Sequence, residues 1–268
     1  MTLCQIPTIE ILQINNILGV KKTGHTRAIE AICNNNSDEF ISCIIKPYCE
    51  LPLGNHTCAR ELIGSILGIA FGLRVPKPYI IQIDNDSHLL TDDIAIKNRL
   101  LGSIGPNFGC KYIDTGPVIA NYVNREDLPK AALIFAFDLL IQNDDRKFNN
   151  PNMFQDNDGF TIFDHEMAFP YSRPDMIIGT FPKPWEFTNQ GSIDYKNHFC
   201  YKFLKNETID LSSFLENLKD LEGVLPDIIT HRIPVQWSGQ EITNIIDYLI
   251  LASNNAALVV SKIYEVLA

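Results

Sequence analysis

The 268-residue sequence predicts an α+β chain with a small β-rich amino-terminal half and a mainly helical carboxyl-terminal half, on three observations. Short β-branched runs joined by polar turns crowd residues 28 to 83, whereas helical spacing of apolar residues takes over after 128. Hydrophobic residues make up 46% and charged residues 20%, the balance of a packed globular protein rather than a disordered or coiled-coil chain. At about 100 to 200 residues per domain the length suits one large domain or two lobes. The change of pattern divides the chain into 1–127 and 128–268.

Ala28–Cys33 and Phe40–Tyr48 are apolar, β-branched runs, and the polar cluster from Asn34 to Glu39 suits a hairpin turn between them. From Asn55 to Phe71, residues Leu62, Ile63, Ile66, Leu67 and Ala70 recur at helical spacing, and Gly72 stands where a C-terminal cap belongs. Pro76 and Pro78 stop that helix, and a strand resumes over 79–83. Residues 85–127, rich in Gly and poor in periodic apolar positions, read as a loop-rich connector at an interlobe cleft. Leu128-Pro129 then opens a helix, KAALIFAFDLLIQN, which is apolar nearly all round and therefore deeply buried. A short hairpin is expected next, with strands near 152–154 and 160–163 across a turn at 155–159. After irregular, Pro-rich chain from 170 to 210, helices are expected at about 212–222, 239–252 and 254–267.

With 22 Lys+Arg against 32 Asp+Glu the net charge is −10, which repels a phosphate backbone, so no direct nucleic-acid partner is expected. Seven scattered cysteines without a CxxC pair read as reduced thiols rather than a disulfide frame or zinc site. No secretion signal is visible, and the longest apolar stretches, 63–73 and 131–141, fall short of the roughly 20 residues that cross a bilayer. A soluble, cytoplasmic protein with no membrane partner is expected. The six histidines lack an HExxH companion, which argues against a zinc enzyme. Ser65 lies in an apolar helix, not at a strand-to-helix elbow, and reads as core. Trp185 and Trp237, with Phe181 and Phe187, read as packing under irregular chain, with a substrate surface as the other use.

The densest polar constellation is NDDRKFNNPNMF, residues 143–154, followed after the hairpin by FDHE, residues 163–166. Phosphoryl transfer needs such a set: one carboxylate to orient the attacking hydroxyl, then Asn and Asp oxygens to hold Mg2+ against nucleotide phosphates. Asp145 and Asn150 have the spacing of a protein-kinase catalytic loop, and Asp164 sits in the place of the metal-binding Asp on the next strand. A lone pair at this spacing is most often a turn, but a further Asp set in the apolar run IFDHEMAF is costly to bury without a partner or a metal. Upstream, Lys46 ends the apolar strand ISCIIK and Glu61 lies in the next helix, placed to form the Lys–Glu pair that serves the α/β-phosphates. Lys22-Thr23-Gly24-His25-Thr26-Arg27 supplies one glycine for a phosphate-cradling loop and reads equally as a β-turn.

In their order, GHTRAIEA, CIIKPY, ELIGSILGIAFGLRVPKP, FDLLIQNDDRKFNNPNMF and IFDHEMAF resemble the HipA-like kinases, specifically the short HipA-related kinase-domain type, over about 19–265. The specific part is the helix, then NxDRxxxNPN, a hairpin and xDH. The resemblance implies a two-lobed, protein-kinase-like fold related to the phosphoinositide kinases, and ATP·Mg2+-dependent phosphorylation of Ser or Thr in a protein substrate. It implies Asp145 as the catalytic aspartate with Arg146 supporting the loop, Asn150 and Asp164 as Mg2+ ligands, Lys46 on the α/β-phosphates with Glu61 as its partner, and Thr23, Gly24, His25, Thr26 and Arg27 as the phosphate loop. Asn152 competes with Asn150 for the metal, because Met153-Phe154 begin the strand as the residues after the metal Asn commonly do. His165 replaces the DFG Phe of protein kinases, as is frequent in the HipA-like group, and Lys21-Lys22-Thr23 stands where HipA toxins often carry an autophosphorylated Ser. Against full-length HipA toxins the resemblance implies a shorter chain, expected to lack their extra amino-terminal subdomain. A toxin-like or regulatory kinase is expected, with an antitoxin or neighbouring-gene product as its candidate partner. Two other readings stand beside it. A small-molecule kinase similar to the aminoglycoside phosphotransferases suits the acidic charge but not the NPN motif, and a nucleotide-binding pseudokinase module is disfavoured by the presence of every expected site residue.

Overall fold

The computed structural model describes residues 6–21, 27–35, 37, 39–113, 118–172, 182–187, 193–230 and 232–268. Alternating apolar residues in the amino-terminal half fold into strands β1 (Ile11–Val20), β2 (Ile29–Asn34) and β3 (Phe40–Lys46), followed by helix α1 (Asn55–Ala70) and strand β4 (Pro78–Ile83). Helix α2 (Ile94–Leu101) and strand β5 (Gly105–Lys111) complete this half. The strands close into a barrel in the order β1-β2-β3-β5-β4, antiparallel throughout except where β1 meets β4 in parallel. Every second residue of β2 (Ile29, Ala31, Cys33) is buried, and these pack with Leu12, Ile41, Cys43, Ile45, Tyr79, Ile81 and Ile83, capped by Ile96 and Leu100 of α2.

Two strands escape the sequence pattern. In β1 the register shifts between Ile14 and Asn16 and again between Ile17 and Gly19, so its apolar residues never alternate cleanly. The 85–127 stretch, expected as a loop-rich connector, contributes α2 and β5. Gly105, Pro106 and Gly109 disguise β5, and Gly109 is required there because a Cβ would lie 2.5 Å from Ile81 Cγ1 and 3.1 Å from Ile44 O.

Helix α1 stops as the sequence suggests, with Gly72 left-handed at φ +82° and Leu73 N donating to Gly68 O at 2.9 Å. Its residues Leu62, Ile63, Ile66 and Leu67 are fully buried, in a core shared with the carboxyl-terminal helices rather than in the barrel. That core is built on α3 (Leu128–Ile141), the short α4 (Tyr201–Leu204), α5 (Ser212–Thr230), α6 (Gln240–Asn254) and α7 (Ala256–Leu267). Helix α5 runs well past 222 and through Pro226, because Leu218, Leu221, Leu225 and Ile228 keep one buried stripe that outweighs the lost backbone bond.

Between the two halves lies a three-stranded sheet of β6 (Val118–Ile119), β7 (Met153–Asp156) and β8 (Gly159–Ile162). The hairpin turn is tighter than expected, since Asp156 still pairs with Gly159. Arg74 fixes the hairpin to the chain after α1: its guanidinium meets both Asp156 oxygens at 2.7 and 2.9 Å, and its carbonyl accepts Ile162 N at 2.9 Å. Ser65, Trp237 and Phe187 are all buried and serve packing; Phe181 lies outside the described residues. The six described cysteines carry free thiols. Among the described residues no single helix is long and apolar enough to cross a membrane.

Candidate active site

The buried helix α3 ends on a non-glycine residue in left-handed conformation, Gln142 at φ +54°, with Asn143 N donating to Asp138 O at 2.9 Å. Asn152 (φ +44°), Asp164 (φ +64°) and Phe169 (φ +52°) share that unfavourable region. Each costs about 1 to 3 kcal/mol, and such strain persists only where the surroundings over-determine it. A buried network does so here. Arg146 is fully enclosed; its Nε donates to Asp138 Oδ2 at 2.5 Å, and one terminal nitrogen donates to the carbonyls of Asn152 (2.6 Å), Pro151 (3.3 Å) and Phe163 (3.3 Å). Asp138 also takes Asn143 Nδ2 at 3.1 Å and His198 Nε2 at 3.1 Å. Burial alone would raise the Asp138 carboxyl, but the Arg146 charge and the His198 bond hold it far below the ordinary carboxylate range. Arg146 therefore ties the loop after α3 to both ends of the hairpin. Asp138 went unassigned in the sequence, although an Asp inside LIFAFDLLI is itself the signal of a buried partner.

On this frame Asp145 Oδ2 accepts the amide Nδ2 of Asn150 at 3.0 Å and of Asn152 at 2.9 Å. The structure thus brings both candidate asparagines to the same carboxylate, and neither amide oxygen has a partner among the described residues. Asn150 is exposed and Asn152 buried.

Opposite, Lys46 at the end of β3 is ion-paired with Glu61 of α1, and its Nζ lies 2.8 Å from Asp164 Oδ1 and 3.3 Å from Glu166 Oε2. Glu61 is oriented by its other oxygen, which accepts the His165 backbone N–H at 2.8 Å. Burial would push the Lys46 ammonium down, yet Asp164, Glu61 and Glu166 together hold it well above the ordinary lysine value. Burial lifts Glu61, and Asp164 adds to the rise against the pull of Lys46. Burial likewise lifts Glu166, whereas Lys46 overcomes burial at Asp164 and lowers it. Three carboxylates with ligand atoms within 4.8 Å of one another face one ammonium, an excess of negative charge built from hard oxygen donors. That set of hard carboxylate oxygens, which includes the expected Asp164, fits Mg2+. Glu166 was not singled out in the sequence; its two-residue spacing from Asp164 was the available signal.

His165 occupies the slot beneath α1, edge-on to Phe137 with ring centroids 6.2 Å apart and against Gly64, where a Cβ would come 2.6 Å from His165 Cβ. Among the described residues neither ring nitrogen has a hydrogen-bond partner, Glu61 Oε2 lying 3.9 Å from Nδ1, and burial pushes the imidazole down to about 3, so it is neutral. Of the expected phosphate loop, Thr23, Gly24, His25 and Thr26 lie outside the described residues; Arg27 stands before β2, where its carbonyl accepts from Arg99.

A lysine paired with a glutamate on a neighbouring helix, beside an Asp and across from an Asp/Asn loop, defines a phosphotransferase-type constellation. Residues 14–255 match the family model of the HipA-like kinases, and the chain belongs to that family. Family membership makes it a kinase. No curated protein and no solved structure matches the chain.

Proposed function

We propose that the chain is an ATP- and Mg2+-dependent kinase that phosphorylates a Ser or Thr hydroxyl of a protein, as a toxin-like or regulatory enzyme of the cytoplasm. The observation that carries this reading is Lys46 held between Glu61 and Asp164, with the Asp145 loop fixed by Arg146 to the hairpin that leads into Asp164. In this reading residues 1–127 form a nucleotide-binding lobe, residues 128–268 a catalytic lobe, and together they make a protein-kinase-like fold. Asp145 orients the acceptor hydroxyl and takes its proton as the oxygen bonds to the γ-phosphorus; the bond to the β–γ bridging oxygen breaks and ADP leaves. Lys46 serves the α/β-phosphates while Glu61 keeps hold of it. Asp164 with Asn150 or Asn152 would hold Mg2+, which would supply positive charge to offset that of the phosphates.

Incubating the protein with γ-labelled ATP and Mg2+, with and without cell lysate, tests the proposal. Label is expected on a protein, and Asp145→Asn is expected to reduce transfer by about 10²- to 10⁴-fold with ATP binding retained. Label confined to small molecules, or ATP binding without transfer, would overturn it.

A further inference from the structure

We propose that Glu241, on helix α6 and outside the Lys46 cluster, is a positioning residue that couples the orientation of α1 to the segment following Asp164. The proposal rests on the kinase reading above. Glu241 is buried, 3% exposed, at the point where three pieces of chain meet. From α1, His56 Nδ1 lies 3.1 Å from Oε2 and Arg60 Nε 3.6 Å from Oε1. From the segment after Asp164, Ser172 Oγ lies 3.0 Å from Oε1, and the Ser172 carbonyl accepts Asn244 Nδ2 of the same α6 at 2.7 Å. Arg60 immediately precedes Glu61, the residue that grips Lys46. Ser172 lies eight residues beyond Asp164, and the chain between them is pinned by Ala168 N to His165 O at 3.0 Å and Phe169 N to Ile141 O at 2.7 Å. Glu61 is thus one residue, and Asp164 eight residues of pinned chain, from a side chain that meets the same buried carboxylate.

The geometry also gives the linkage two arrangements. The Ser172 hydroxyl lies 2.7 Å from Phe169 O and 3.0 Å from Glu241 Oε1, and its single hydrogen serves one acceptor at a time. When it serves Glu241, the segment after Asp164 is tied through Oε1 to Arg60 and hence to α1. When it serves Phe169, the segment is closed on itself, and Glu241 meets α1 through His56 and Arg60 without the Ser172 link. A residue that sets the angle of α1 without touching nucleotide changes how Lys46 and Glu61 are presented in the transition state more than how tightly ATP is held.

The test measures ADP release from the 268-residue protein with Mg2+-ATP, together with the KM for ATP and the melting temperature, for wild type, Glu241→Gln, Glu61→Gln and the double variant. Glu241→Gln is expected to lower kcat about tenfold with the KM for ATP changed less than threefold and the fold retained. In the Glu61→Gln background the same change is expected to add little, because its effect travels through the Lys46–Glu61 pair. Unchanged kcat, or an equal loss in both backgrounds, would overturn the inference and leave the kinase reading standing. If Glu241→Gln does not fold, Ser172→Ala enters the same cycle with the same two outcomes. A wild-type protein without ATP turnover would bring down the kinase reading and this inference together.

Discussion

His165 shows how a single side chain reports on the chemistry around it. A buried imidazole whose nitrogens have no hydrogen-bond partner among the described residues is an expensive occupant, since desolvating a polar group without a partner costs about 1 to 3 kcal/mol. Its folded pKa, about 3, lies below the unfolded value near 6.5, so the unfolded chain takes up a proton first as the pH falls. This contribution is therefore complete above about pH 6.5 and is lost as the pH falls toward 3, at up to about 1.4 kcal/mol per pH unit. His165→Phe is expected to keep the ring packing against Phe137, to match or exceed wild-type stability at pH 7.5, and to unfold in urea with a shallower loss between pH 7.5 and 5. Equal slopes for the two proteins would show that His165 does not carry this dependence. The same residue illustrates legibility: the string DHE announces Asp164, but nothing in it says that the His ring is buried and the Glu carboxylate turned to Lys46.

At the scale of elements, α1 is the part on which the site depends most. It presents Glu61 to Lys46, Arg60 to Glu241 and Gly64 to His165 within little more than one turn. Its apolar spacing and its glycine stop were plain in the sequence, as were α3 and the hairpin, because local periodicity suffices for them. Gly64 was not, since its reason is a neighbour 101 positions away. Gly64→Ala gains helix propensity but drives a methyl to 2.6 Å from His165 Cβ. It is expected to destabilise by about 1 to 3 kcal/mol in urea unfolding and to lower ATP turnover by displacing the chain that carries Asp164. A stable, fully active variant would show that α1 and His165 have room to part.

At the scale of the molecule, the two hydrophobic cores do not coincide with the two halves of the chain. The barrel has its own small core, but α1, though it belongs to the first half in sequence, buries Leu62, Ile63, Ile66 and Leu67 among α3, α5 and their neighbours. Burying such side chains contributes about 1.5 to 3 kcal/mol each, and separating the halves forfeits it. A fragment of residues 1–127 is accordingly expected to lack a cooperative thermal transition by circular dichroism, whereas the whole chain unfolds cooperatively. A fragment that melts sharply on its own would show that α1 is dispensable to the barrel or finds another cover.

The sequence alone determined the α+β order, the principal helices, the hairpin and the roster of polar residues that the fold gathers, from Lys46 and Glu61 to Asp145, Asn150, Asn152 and Asp164. Each follows from short-range patterns: apolar period, capping glycine, and polar residues too costly to bury unpaired. Only the tertiary structure decided that β1 and β5 close a barrel, that Glu166 joins Lys46, that Asp138, Arg146 and His198 form one buried network, and that Glu241 joins α1 to the segment after Asp164. These depend on partners brought together by strand pairing and charge burial across most of the chain's length, which no local window of sequence contains.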